Sequence, residues 1–172
     1  MINIIVACDD DMGIGKEGDI PWYISEDLKR FSSLTTFSST VAGSRVAKPI
    51  NHVIMGRVTW ESLPSRYRPL PARVNHVISS KEVYGGAEWS SSFEEALNKA
   101  KKSGGGIYVI GGQSVYEAAL AGEPALLHVT RVQGSHGCDR FFPLIMSEKT
   151  LLAKSDIKES AGYKYWFETH EV

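Results

Sequence analysis

The chain has 172 residues, 42% hydrophobic and 23% charged, with a formal net charge of −1. That size and balance suit one globular domain, residues 1–172, with a buried core. They exclude a broad electrostatic pull toward nucleic acid or an anionic membrane surface. No apolar run approaches the roughly 20 residues needed to span a bilayer. The two cysteines, Cys8 and Cys138, suit a reducing cytoplasm rather than a disulfide scaffold.

Ile2 to Ala7 is a short apolar run without the basic start of a signal peptide, and it reads as a first strand covered on both faces. Asp9 to Asp19 is a loop rich in Gly and Asp. Ser25 is a good N-cap, so a helix should begin near Glu26. At 3.6 residues per turn, Ile24, Leu28, Phe31 and Thr35 form its inward stripe, flanked by Leu34. Glu26, Lys29 and Arg30 then point outward, and Asp27 lies at the apolar edge. Ser32 to Lys48, rich in Ser, Thr and small residues, reads as an extended loop or frayed helix end. His52 to Met55 is a strand running into a helix that opens at Gly56. Arg73 to Ser79 is another strand, and Tyr84 to Ser90 holds a short one. Ser92 and Glu95 form a capping box for a helix ended by Gly104. Ile107 to Ile110 is a buried strand followed by a helix closed by Gly122. Leu126 to Gln133, Leu151 to Ile157 and Tyr163 to Glu171 are strands with no helix between them. Alternation followed by strands alone predicts a mixed, mostly parallel α/β sheet of about eight strands, with an antiparallel C-terminal edge and about four flanking helices.

Four places carry chemistry. Asp27 either favours the positive end of its helix dipole or meets a cationic, amidine-like ligand. Arg57 opposes the dipole at the start of its helix, a conflict that either solvent or a bound phosphate relieves. Gly111 and Gly112 sit between a strand and a helix, which suits either a tight packing turn or a pyrophosphate held on free N–H groups. Two such helix starts on one sheet suggest a dinucleotide lying across it. Ser79, Ser80 and Lys81 end the third strand, where with Arg57 they could surround one further phosphate. Arg73, after Pro69-Leu70-Pro71, is either a solvated strand-end charge or a bidentate carboxylate grip. The five histidines show no metal-ligand spacing, and no metal is expected.

Read together, the segments resemble dihydrofolate reductase. The signatures run in order through nearly the whole chain: Ile14-Gly15, Pro21-Trp22, Asp27-Leu28, Phe31, Met55-Gly56-Arg57, Thr59-Trp60-Glu61-Ser62, Pro69-Leu70-Pro71, Arg73-Val74-Asn75, Ser79-Ser80, Ile110-Gly111-Gly112, Val115-Tyr116, Thr130, Asp139 and Phe142-Pro143. The resemblance implies reduction of 7,8-dihydrofolate with NADPH. By likeness, Asp27 would bond the pterin and favour proton delivery to N5, Trp22 would hold an ordered water, and Thr130 would fix the Asp27 carboxylate. Ile5, Val6, Ala7, Leu28, Phe31, Leu63, Leu70, Ile110 and Tyr116 would line the substrate, and Arg73 would grip its glutamate tail. Ala7, Ile14, Gly15, Ile20, Ile110, Gly111, Gly112, Gln113, Ser114, Val115 and Tyr116 would line the nicotinamide and pyrophosphate path. Gly56, Arg57, Val58, Thr59, Ser79, Ser80 and Lys81 would surround the adenosine phosphates. Gly13 to Ile20 would be a mobile lid, with Ile20 closing over the nicotinamide. Antifolates such as methotrexate, and trimethoprim subject to the details of the walls, would bind Asp27, and a monomer is the family default. Val58 stands where many bacterial relatives carry a basic residue, and Ser32 where a lysine is often found. The reductase of riboflavin biosynthesis shares the fold, but the Trp22 and Asp27 pairing argues against it. A nucleotide-binding module without catalysis has no use for an acid at Asp27.

Overall fold

The computed structural model describes residues 1–36, 50–143 and 146–172. In chain order the strands and helices are β1 (Ile2–Cys8), β2 (Gly13–Gly15), α1 (Ser25–Thr36), β3 (Asn51–Gly56), α2 (Arg57–Ser62), β4 (Arg73–Ile78), β5 (Glu88–Ser90) and α3 (Phe93–Ser103). They continue with β6 (Ile107–Gly111), α4 (Gln113–Leu120), β7 (Ala125–Val132), β8 (Arg140–Phe141), β9 (Thr150–Lys154), β10 (Lys158–Ser160) and β11 (Tyr163–Glu171). Nine strands form one sheet in the order β10-β11-β7-β1-β6-β3-β4-β5, with β9 also paired to β11. From β7 to β5 every pairing is parallel, and β11 runs antiparallel to β7, β9 and β10. The mixed α/β sheet with an antiparallel C-terminal edge is therefore as the sequence predicts.

Strand alternation divides the interior between the two faces. Ile2, Ile4, Val6 and Cys8 of β1 turn toward α3 and α4, packing with Ala96, Ala100, Val115 and Ala119. Within β3, Ile54 joins that cluster, whereas Val53 and Met55 face Trp60 of α2, Leu70 and the partly buried Phe31 of α1. A third cluster, Trp22, Ile24, Val132 and Tyr165 with Ala7 and Phe167 against it, closes the space under the start of α1. The face holding Ala7 and Phe31 is the one that carries the candidate site.

Several sequence expectations need correction. Of the two readings of Ser32 to Lys48, an extended loop or a helix end, Ser32 to Thr36 take the second and continue α1. Their hydroxyls are satisfied within the helix: Thr35 Oγ1 donates to the Phe31 carbonyl at 2.8 Å and Thr36 Oγ1 to that of Ser32. Residues 37–48 of that predicted loop lie outside the described residues. Leu28 is on the inward stripe by angle yet 48% exposed, because the sheet covers that stripe only at Ile24, Phe31 and Thr35. Glu26 is not a free outward charge: it accepts from Lys158 Nζ at 2.8 Å and from the Tyr165 hydroxyl. Arg30 lies over the Phe167 ring, 4.6 Å from its centre. The loop from Asp9 to Asp19 contains β2, which pairs with the two-residue β8. The strand predicted for Leu151 to Ile157 ends at Lys154, and β10 follows as a separate short strand. The capping box is shifted by one: Ser92 Oγ accepts from Glu95 N at 3.2 Å, while the Glu95 carboxylate accepts from the backbone N–H of Ser91.

Candidate active site

Asp27 occupies the first turn of α1, and its carboxylate accepts a 2.6 Å hydrogen bond from Thr130 Oγ1. Thr130 is 1% exposed in mid-β7, where the register sets it opposite Ala7 on one side and Phe167 on the other. The threonine hydroxyl therefore comes from inside the sheet and fixes the carboxylate on the helix that packs over it. Burial pushes the Asp27 carboxyl above its ordinary value, and the Thr130 bond and the Arg30 charge oppose that shift. A half-buried acid with a raised pKa can hold a proton under conditions where a surface aspartate has lost it. Trp22, 6% exposed, packs just before this turn.

The expected substrate walls come together in part. Phe31, Leu63, Leu70 and Ile110 belong to one cluster on the site face. Ile5 and Ala7 lie half-buried on the same face of β1, but the Val6 side chain points the other way, into the core with Val115 and Phe142. Strand alternation makes this unavoidable, since Ala7 and Val6 are neighbours. Arg73 begins β4 with its Nε donating to the Pro71 carbonyl at 2.9 Å and its Nη1 to Thr35 Oγ1 at 2.7 Å. The guanidinium is thereby aimed and half-buried beside Phe31.

The two glycine turns stand side by side because β3 and β6 are neighbours. A Cβ on Gly56 would lie 3.3 Å from Val115 and 3.8 Å from Gly112 N, and one on Gly112 would lie 3.5 Å from Thr59 Oγ1. Neither Gly56 nor Gly112, the N-caps of α2 and α4, offers a capping side chain, so both helix starts depend on outside acceptors for their first N–H groups. Gly111 has φ of 116° and approaches the Tyr116 hydroxyl, which donates to the Ile5 carbonyl at 2.8 Å. Burial, above all, pushes the Tyr116 phenol upward, with the neighbouring Cys8 and Asp27 adding to the shift. Val115 is buried in the core and Ser114 is exposed. The Gln113 side chain ties α4 to β8 by accepting from Phe141 N at 3.2 Å.

Beyond α2 a hollow of about 520 Å³ is lined by Arg57, Ser79 and Lys81, as the sequence suggests, and also by Arg68, Trp60 and Tyr84. Ser80 and Val58 are exposed beside this region but do not line it. Sequence reasoning missed Arg68; its cationic neighbourhood was legible in the Arg66-Tyr67-Arg68 run, but nothing there indicated that Arg68 lies over Trp60, 5.7 Å from its ring centre.

The segment Gly13 to Ile20 is tied down on one side. Gly13 and Gly15 pair with β8, Lys16 and Asp19 close a turn, and the Asp139 carboxylate accepts from Glu17 N at 2.9 Å. Ile14 packs against the core, whereas Ile20 at the far end is 55% exposed.

Paired uncapped helix starts at the strand ends, a hollow beyond them lined by Arg57, Arg68 and Lys81 together with Glu61 and Glu82, and a half-buried acid on the same face define an α/β fold with a candidate dinucleotide site across its sheet. The sequence model of the dihydrofolate reductase family matches residues 1–171, and the chain belongs to that family. It is 39% identical to the dihydrofolate reductase of Sus scrofa, over 99% of this chain and 97% of that one, and 40% identical to that of Rattus norvegicus, over 99% and 96%. It is 38% identical to the viral dihydrofolate reductase of Saimiriine herpesvirus 2, over 99% of this chain and 84% of that protein.

Proposed function

We propose that the chain reduces 7,8-dihydrofolate to tetrahydrofolate with NADPH as the hydride donor. The Asp27–Thr130 hydrogen bond carries this reading: a carboxylate held at 2.6 Å by a sheet residue, with burial raising its pKa above the ordinary value. The edge of the pterin carries a 2-amino group and a ring N–H, and a carboxylate can accept from both at once. Asp27 binds and orients that edge and favours a proton at N5. Phe31, Leu63, Leu70 and Ile110 exclude water from the ring, and Arg73 pairs with the carboxylate of the glutamate tail. Trp22, buried just before the Asp27 turn, and Ile20, exposed at the end of the Gly13–Ile20 segment, close over the bound rings.

The cofactor residues fit a phosphorylated dinucleotide. Two neighbouring helix N-termini suit a pyrophosphate, and Arg57, Ser79 and Lys81 around one hollow suit a further phosphate such as the one that distinguishes NADPH from NADH. When bound, NADPH supplies the hydride. Gly56, Gly111 and Gly112 let the backbone approach it closely, and Ala7, Ile14 and Tyr116 line its path.

The same acid makes the chain a target for diaminopyrimidine antifolates such as methotrexate, and trimethoprim is a further candidate. A monomer in a reducing cytoplasm is the matching setting. NADPH oxidation, followed spectrophotometrically with and without dihydrofolate, tests the reading. Consumption of NADPH only when dihydrofolate is present is expected, and no dependence on dihydrofolate overturns it.

A further inference from the structure

Three successive aspartates follow β1, and each reaches the same loop between β7 and β8. Asp10 accepts from Gly134 N at 2.7 Å, Asp11 takes the Ser135 hydroxyl, and Asp9 accepts from His136 N at 2.9 Å. Asp9 differs from the other two in being fully buried. Its second oxygen accepts from Gly13 N at 2.7 Å and Asp11 N at 3.0 Å. One buried carboxylate thus bridges the entry of the Gly13–Ile20 segment to His136. The fit at this entry excludes any side chain on residue 13, because a Cβ there would lie 2.5 Å from Cys138 Cβ and 2.9 Å from Asp9 Oδ1.

The His136 ring lies beside the same carboxylate, its Nδ1 3.5 Å from Asp9 Oδ2 and without a hydrogen-bond partner among the described residues, so the bridge runs through the His136 backbone N–H. The ring stands edge-on to Trp22, with centroids 5.3 Å apart and planes at 72°. Tyr163 is a second ring neighbour, 5.7 Å away, and its hydroxyl donates to the carbonyl of Pro21, the residue before Trp22. The indole therefore packs against the ring of a residue whose backbone N–H is held by Asp9.

We propose that His136 is a positioning residue for the reduction: its ring fixes the plane of Trp22 and, through the buried Asp9 carboxylate, couples the indole to the entry of the Gly13–Ile20 segment. This rests on the dihydrofolate reading above. Loss of the ring frees the indole. Loss of one carboxylate oxygen leaves an amide with a single acceptor for donors that now share two oxygens, so the Gly13 end or the His136 end is released.

The test uses the full chain and three variants. His136→Ala is expected to lower kcat about tenfold or more while leaving the dihydrofolate KM within about twofold, because small misplacements act on the reacting geometry. His136→Phe keeps a flat ring between Trp22 and Tyr163 and restores most of kcat. The Trp22 emission, read as the difference between each protein and its Trp22→Phe counterpart, shifts in His136→Ala and returns in His136→Phe. Asp9→Asn speeds native-state tryptic cutting after the exposed Lys16. If His136→Ala does not fold, His136→Leu fills the same space without an aromatic face and replaces it. An unchanged kcat and Trp22 signal in a folded His136→Ala or His136→Leu overturns the proposal, as does a His136→Phe no better than either. If the unmodified chain does not turn over dihydrofolate, the functional reading fails, while the Trp22 signal and the Lys16 cut still judge the coupling.

Discussion

Asp27 and Arg73 are single residues whose surroundings set opposite kinds of kinetic consequence. Asp27 is held by Thr130 and pushed toward its protonated form by burial. Asp27→Asn keeps the shape and can keep the Thr130 bond, but cannot deliver a proton. Turnover at neutral pH should fall by about 10²- to 10⁴-fold, the range of a lost general acid, with a smaller deficit as pH falls and solution protons substitute. The stability effect has the opposite sign. A carboxyl whose folded pKa is raised stabilises the fold below its unfolded pKa, and that contribution disappears as pH rises through the folded pKa. Asp27→Asn should therefore melt higher than the unmodified chain at pH 7, with the difference closing in acid; thermal unfolding across pH checks this, and a lower melting point at pH 7 contradicts it. Arg73 is pre-aimed by the Pro71 carbonyl and the Thr35 hydroxyl. Arg73→Lys loses the planar fork at a cost of about 1.5–3 kcal/mol for a charged hydrogen-bonded pair, so the dihydrofolate KM should rise roughly 10- to 100-fold with kcat little changed. A substrate analogue lacking the tail carboxylate should not distinguish the two proteins, and if it does, the tail assignment is wrong.

Between neighbouring strands the chain buries a histidine pair that takes no part in the site. His52 Nε2 lies 2.9 Å from the Gly104 carbonyl, which can only accept, so that nitrogen carries the proton. His52 Nδ1 is then an acceptor, and His76 Nε2 donates to it across 2.9 Å. His76 Nδ1 is left bare and buried, without a partner among the described residues. Burial, His52 and Lys99 push His76 down to about 4. A histidine with a lowered folded pKa stabilises the fold above its unfolded value of 6.5, and that stability is lost as pH falls toward about 4. The loss amounts to roughly 3 kcal/mol by linkage. Thermal unfolding between pH 7 and pH 4 should show this slope on top of the one from His128, which burial likewise lowers to about 4, and His76→Gln, which keeps the donor but cannot titrate, should remove the His76 share; an equally steep slope in the variant would refute the assignment. Elements of this kind also show where sequence reading ends. The strand–glycine–helix junctions at Gly56 and Gly111 were legible because their signals lie within a few residues. β8 was not, since two residues carry no periodicity and the strand exists only because Gly13 and Gly15 pair with it. Asp9 read as a loop acid because the donors that let it be buried include His136 N, more than a hundred residues away in the chain. Leu28 was placed correctly by angle and wrongly by burial, because helical periodicity gives a direction and not what lies there.

At the scale of the whole molecule, one sheet carries both ends of the chain: β11 pairs with β7 from Tyr165 to Glu171, and Val172 exchanges backbone hydrogen bonds with Ala125 beside β1. Glu26 ties the start of α1 to this C-terminal edge through Lys158 and Tyr165. Asp27, its threonine and the two glycine turns thus all hang on the same hydrogen-bonded frame, and unfolding should be a single cooperative transition. Ligand binding then raises the stability of the whole frame by mass action. At a free NADPH concentration a hundredfold above its Kd the gain is about 2.7 kcal/mol, which for a chain of this length is a rise in Tm of roughly 5–10 °C. Arg57 separates a ligand contact from a fold contact. Its only ion pair among the described residues is with Glu61 at 3.7 Å, both side chains more than half exposed, and such a pair contributes a few tenths of a kcal/mol at most. Arg57→Ala should therefore leave the Tm without ligand nearly unchanged, yet cut the rise given by NADPH far more than the rise given by NADH at equal concentration. Equal losses with the two dinucleotides would mean that Arg57 meets a group common to both, and the further phosphate would have to be assigned to Lys81 and Arg68 across the same hollow.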